Sequence, residues 1–272
     1  MGAITDFADY KRRLIGPRQF APFLKTQSMT TIAGRMYDAA QLSGIPALTT
    51  PSTAVVPTSA TAGALSFANA GGETEYCLGA TLSSSTTGTY ILCDRLSHQG
   101  GLSGTTTGAQ TTNLPTAALT RYTDGVGVMA GLSIYSQVGT TGTTVSVSYT
   151  NDAGTAGQVS PSVVFGGTGF REGTRFIPVP LVAGDLGVKS VESVTLAAST
   201  VSTAGNFGVT LYKPLMSFHI ERPGAQVDFN ILDGGMSGGL PEIVDDACLF
   251  FLVIPNTTAV AAMSGALSLT AV

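Results

Sequence analysis

Val126-Gly127-Val128-Met129-Ala130-Gly131-Leu132-Ser133-Ile134-Tyr135-Ser136 reads as a β-strand with one apolar face. Val126, Val128, Ala130, Leu132 and Ile134 occupy every second position, and a strand sends successive side chains to opposite faces. A turn at Gly139 to Thr144 follows. Beyond it Val145, Val147 and Tyr149 alternate with Ser146 and Ser148, so the stretch predicts a β-hairpin.

The same texture extends outward in both directions. Short β segments separated by Gly, Ser, Thr and Asp clusters are predicted at 75–82, 89–96, 126–137, 144–150, 158–165, 176–182, 188–198, 207–217, 226–231, 248–254 and 265–271. Further hairpins are expected from 75–82 to 89–96 and from 176–182 to 188–198. The first would bring Cys77 close to Cys93, either as a cross-strand pair or as two small core residues. About eleven strands, with a long Thr/Gly-rich connection at 97–123, predict an all-β fold: an antiparallel β-sandwich of jelly-roll type. An immunoglobulin-like sandwich would lack its Cys-Trp-Cys hallmark, because the chain has no Trp.

The N-terminal region differs. Lys11, Arg12, Arg13, Arg18 and Lys25 are five of the 13 basic residues. Helical spacing appears at 4–15 and again at 28–42, and Gly16-Pro17 and Gly44-Ile45-Pro46 end the two segments. The expected organisation is therefore a partly helical attachment arm at 1–45, an extended Pro/Thr-rich linker at 46–63, and a β-sandwich body at 64–272. Deleting 1–45 should then leave a folded body. Three readings of the arm stand side by side: docking on another subunit through Phe20, Phe23 and Leu24 with its basic residues pairing to acidic groups, an ordinary solvated helix face, or phosphate contact.

Composition narrows the function classes. Of 272 residues 11% are charged, 34 are Gly, and the formal net charge is −4, which argues against a nucleic-acid-binding domain. The longest apolar run, Ala247 to Ile254, is far shorter than the ~18 residues of a membrane span, and mean hydropathy is +0.30. A Thr/Ser/Gly surface with few charges repels copies of itself weakly, which suits an oligomer or lattice. The N-terminus has no apolar core of a secretory signal, so assembly in a reducing cytoplasm is expected.

Motifs that carry chemistry are weak. Gly235-Met236-Ser237-Gly238-Gly239 fits the nucleophile-elbow pattern, but no His follows Ser237, and a turn is the better reading. Gly166 to Gly173 reads as a glycine-rich turn with Arg171, Glu172 and Arg175 as an exposed charge cluster able to touch a neighbouring chain. Glu242, Asp245 and Asp246 lack the ladder of a calcium loop. Two His and three Cys offer no spaced metal set, and neither a cofactor nor enzymatic activity is expected.

Gly16 to Lys25, Phe165 to Pro180, and Thr203-Ala204-Gly205-Asn206-Phe207-Gly208-Val209-Thr210-Leu211 are similar to open reading frames near phage structural genes. The chain thus resembles structural proteins of tailed bacteriophage particles. The resemblance implies a virion protein assembled in the host bacterial cytoplasm, in the manner of a capsid decoration or cement protein. Such proteins form homo-oligomers, trimers above all, and bind the major capsid protein or other virion subunits through an arm. A tail, neck or head-fibre component and a carbohydrate-binding sandwich are the alternatives.

Overall fold

Alternating residues build an almost wholly β protein, seen in a computed structural model that describes residues 6–9, 11, 19–47, 50–51, 53–68, 71, 74–230 and 241–271. Every strand pairing among them is antiparallel. In chain order the strands are β1 (Gln19–Thr30), β2 (Met36–Asp38), β3 (Gly44–Ile45), β4 (Glu75–Ser84), β5 (Gly88–Arg95), β6 (Met129–Ser136), β7 (Thr143–Asn151) and β8 (Gln158–Val159). They continue with β9 (Val163–Phe165), β10 (Arg175–Val179), β11 (Val188–Leu196), β12 (Asn206–Ile220), β13 (Gln226–Asn230), β14 (Glu242–Ile243), β15 (Leu249–Pro255) and β16 (Val260–Ala271). Among the described residues, helix is confined to residues 7–9 and 11 and a 3-10 turn at Ala39–Gln41.

These strands form a closed barrel, β10-β2-β15-β5-β12-β6, between two sheets. One sheet runs β13-β4-β16-β1-β3 with β14 on β4; the other runs β11-β7-β8 with β9 on β7. The expected two-sheet jelly roll is replaced by this three-part arrangement. Closing the middle layer removes its edges, which an open sheet would leave unpaired.

Three apolar clusters hold the parts together. Phe23, Leu82, Leu92, Phe218, Phe251 and Leu267 fill the space between the first sheet and the barrel. Leu132, Val147, Tyr149, Phe165, Val194 and Phe207 fill the space between the barrel and the second sheet. The third cluster draws Met36, Ile91, Cys93, Met129, Phe176, Tyr212, Phe250 and Leu252 from all six barrel strands and is the barrel interior.

β12 serves both outer cores. Phe207, Val209 and Leu211 face the second sheet, whereas Met216, Phe218 and Ile220 face the first. The parity change falls at the register shift between Pro214 and Met216. A one-residue bulge moves every following side chain to the opposite face, so one strand keeps its outward surface buried along both halves.

The three expected hairpins are absent. β4 lies in the first sheet and β5 in the barrel; β6 lies in the barrel and β7 in the second sheet; β10 lies in the barrel and β11 in the second sheet. The turns at 85–87, 137–142 and 180–187 are corners at which the chain changes sheet. Cys77 and Cys93 are accordingly not opposite each other; they and Cys248 are free, buried thiols. The opening strand also departs from its expected amphipathicity. Val128, Ala130, Leu132 and Ile134 are buried against the second sheet, but Ser133 and Tyr135 on the other face are buried in turn. Gly131 is required there, because a Cβ would lie 2.2 Å from Phe176 Cζ.

Residues 19–45, expected in the arm, belong to the body. β1 lies between β16 and β3, and β2 closes the barrel between β10 and β15. The helix expected at 28–42 is instead the end of β1, a loop, β2 and the 3-10 turn. Of the helix expected at 4–15, residues 7–9 and 11 are helical and the rest lies outside the described residues. Pro22 is tolerated in β1 because β3 pairs only with Leu24 and Lys25, leaving Pro22 with a single ladder.

Candidate contact face and the buried charge network

Strand alternation divides the residues predicted to dock. Ala21, Phe23 and Lys25 point inward and are buried, with the Phe23 ring 5.0 Å from that of Phe251. Phe20 and Leu24 point outward and remain 65% and 47% exposed. Phe20, Phe23, Leu24 and Lys25, expected as one docking set, are separated by the two-residue period into an exposed pair and a buried pair. Lys11 lies above the Phe7 ring at 5.2 Å, and Arg12, Arg13 and Arg18 fall outside the described residues.

The outward half of β1 belongs to a broad face. Phe20 stands opposite Ser268, Pro22 opposite Ala266 and Leu24 opposite Ser264 on β16. Those residues stand opposite Gly79, Thr81 and Ser83 of β4, and Thr81 in turn stands opposite Asp228 of β13. Ile45, 63% exposed, sits beside Leu24 from β3. The result is a sheet surface of small side chains with an apolar border of Phe20, Pro22, Leu24 and Ile45. Its described positions carry two charges, both toward the far edge: Asp228 of β13 and Glu242 of β14, which stands exposed opposite Tyr76. Ile45 was not singled out in the sequence; its proximity to Leu24 depends on a long-range pairing.

The predicted cluster at 171–175 is folded onto itself. Glu172 accepts hydrogen bonds from the backbone N–H of Gly169 at 3.1 Å and of Arg171 at 3.2 Å, and from Arg175 Nη2 at 3.4 Å. Burial pushes its carboxyl up, but these N–H groups and the Arg175 charge outweigh that and hold it below the ordinary value. Arg175 is not exposed as expected. It is 1% accessible, with its guanidinium 4.0 Å above the Tyr37 ring. Arg171 and Glu172 are the half-buried members left at the surface.

A charge network lies at the barrel. Arg95 Nη2 donates to Asp38 Oδ2 at 2.5 Å, its Nη1 is 2.8 Å from His98 Nδ1, and the guanidinium lies 4.1 Å from the Phe250 ring. Beside it Arg121 donates through Nε and Nη2 to the two oxygens of Asp94 at 2.8 and 3.0 Å. Arg121 Nη2 also reaches the carbonyls of Pro57 at 3.1 Å and Arg95 at 2.9 Å. One guanidinium therefore fastens the linker, β5 and the long 97–123 connection together. Buried ions demand partners in good geometry; Arg121 has them through Nε and Nη2, whereas Arg95 is paired through Nη2 and its Nε has no partner among the described residues.

Among the described residues no three His, Cys, Asp or Glu side chains converge as a metal site. Glu242, Asp245 and Asp246 lie on and after β14, with both aspartates exposed. Gly235 to Gly239, with Ser237, lies outside the described residues.

No protein-family model and no curated protein matches the chain. Solved structures that overlay on it include infectious bursal disease virus Gt strain, at 9% identity and TM-score 0.18, over 94% of this chain and 82% of that one. The VP2 subviral particle of the same virus overlays at 10% identity and TM-score 0.18, over 94% and 80%. TM-scores of this size do not establish a common fold.

Proposed function

We propose that the chain is a non-enzymatic structural subunit of a virus particle, of the tailed-bacteriophage kind, and specifically a decoration or cement protein that bridges neighbouring shell subunits. The observation that carries this reading is the outer face of the first sheet. Phe20, Leu24 and Ile45 are exposed beside a field of Ser, Thr, Ala and Gly almost free of charge. A contiguous apolar border of this kind marks a surface that gains by being covered, and low charge removes the repulsion that would oppose close packing with a neighbour. The work of such a subunit is mechanical: interface area summed over many copies raises the free energy needed to separate the shell.

Quantitative mass spectrometry of purified particles from the source that encodes this chain tests the reading. A copy number comparable with that of the main shell protein is expected. A few copies per particle would move the chain to a vertex, neck or tail, and its absence would refute the structural role.

A further inference from the structure

A cleft of about 260 Å³ opens between the linker and the long connection. Leu96 and Leu114 line it from the buried side; Val56 and the stretch 116–119 form its rims. Among the described residues, no charged or aromatic side chain lines it. That lining disfavours ions and nucleotides, and it offers no ring on which a sugar or base could stack.

One polar group is out of keeping with this lining. Gln99 borders the cleft, is 2% accessible, and its Oε1 has no hydrogen-bond partner among the described residues. A buried amide oxygen left unpaired is unfavourable, a deficit that a ligand donor reaching it would remove. The walls point the same way. Val55 is tied to the body by a two-way bridge with His98, and Pro115 accepts from Val191 N at 2.9 Å. Beyond those anchors the main chain of Val56, Ala117, Ala118 and Leu119 has no hydrogen bond among the described residues.

Two rims of unpaired main chain, an apolar floor and one unpaired amide match the needs of an extended peptide, which offers a donor and an acceptor at every residue. The volume lies just below the ~300 Å³ at which pockets begin to enclose whole small molecules, so it suits one or two residues of a chain passing through. We propose that this cleft binds an extended, uncharged peptide segment of a partner chain, with a main-chain N–H of that segment donating to Gln99 Oε1. The partner is read as another virion subunit, and that clause alone rests on the role proposed above.

The test is a titration of the full-length ¹⁵N-labelled protein with N-acetylated, C-amidated hexapeptides of Ala, Val, Ser, Thr and Gly, followed by NMR. Saturable shifts are expected at the Gln99 side-chain amide and at the amides of Ala117 and Ala118. Gln99→Leu should weaken binding at least tenfold with the fold intact, because that amide oxygen makes no bond among the described residues. Ala118→Lys at the exposed rim should weaken it as well. No saturable shift at millimolar peptide, shifts confined to other surfaces, or unchanged affinity in both variants would overturn the proposal. Absence of the chain from particles would remove the virion role and leave the peptide affinity as measured.

Discussion

Lys25→Met should change how stability depends on pH above neutrality. Lys25 Nζ donates to the carbonyls of Leu42, at 3.4 Å, and Pro46, beside Phe23, Ala40, Phe250 and Met263. Burial pushes its pKa down from 10.5 to about 8; Asp38 opposes that shift and Arg95 adds to it. The unfolded chain keeps this proton up to 10.5 and the native protein loses it near 8. Between those values the unfolded state binds more protons, so this group makes stability rise with pH; below pH 8 the penalty is fully present. The gap of about 2.5 pH units corresponds to about 3 kcal/mol, and solvent screening near Nζ brings the expected effect to ~2 kcal/mol. Urea unfolding at pH 7 and pH 10 of both proteins isolates the group, because the other titrating residues are common to the pair. The wild type should gain ~2 kcal/mol on the variant across that interval. A difference that stays constant within about 0.5 kcal/mol would refute the account.

Two further outcomes follow from the packing. Gly131→Ala places a Cβ against the Phe176 ring, so it should destabilise by about 1–3 kcal/mol, and Phe176→Leu in the same chain should restore part of the loss, read by thermal unfolding. Deleting residues 1–18 should leave the β circular dichroism signal and cooperative melting intact. Deleting 1–45 removes β1, β2 and β3, opening both the first sheet and the barrel, and should abolish that melting.

The strands themselves were legible in the sequence, because each exposes its two-residue period locally. All eleven segments from 75–82 to 265–271 contain strands. Their partners were not legible. Ser83 to Thr87 looks the same whether the chain turns back on its neighbour or crosses to another layer, and only the long-range pairs, β4 with β16 and β5 with β12, decide between the two. β1 was missed for a different reason: Pro22 and the Gly16-Pro17 pair signal irregular chain, whereas the alternation of Phe20, Pro22 and Leu24 with Ala21, Phe23 and Lys25 carries the strand. That alternation would have separated the exposed residues from the buried ones. The charge network left no local trace, since Asp38, Asp94, Arg95 and Arg121 are brought together from distant positions. Gln99 was equally silent, because its interest lies in an amide oxygen that folding leaves without a partner among the described residues.

The place of β1 has a consequence for the order of events during synthesis. Its main ladder is with β16, which emerges from the ribosome about 230 residues later. At roughly 5–20 residues per second the two are separated by some tens of seconds. During that interval Phe20-Ala21-Pro22-Phe23-Leu24 is a nascent apolar strand without its principal partner, the kind of segment that recruits other chains. Pro22 supplies no N–H to a foreign ladder and so acts as a built-in guard until β16 arrives. The residue that hides β1 from a sequence reader also hides it from other nascent chains.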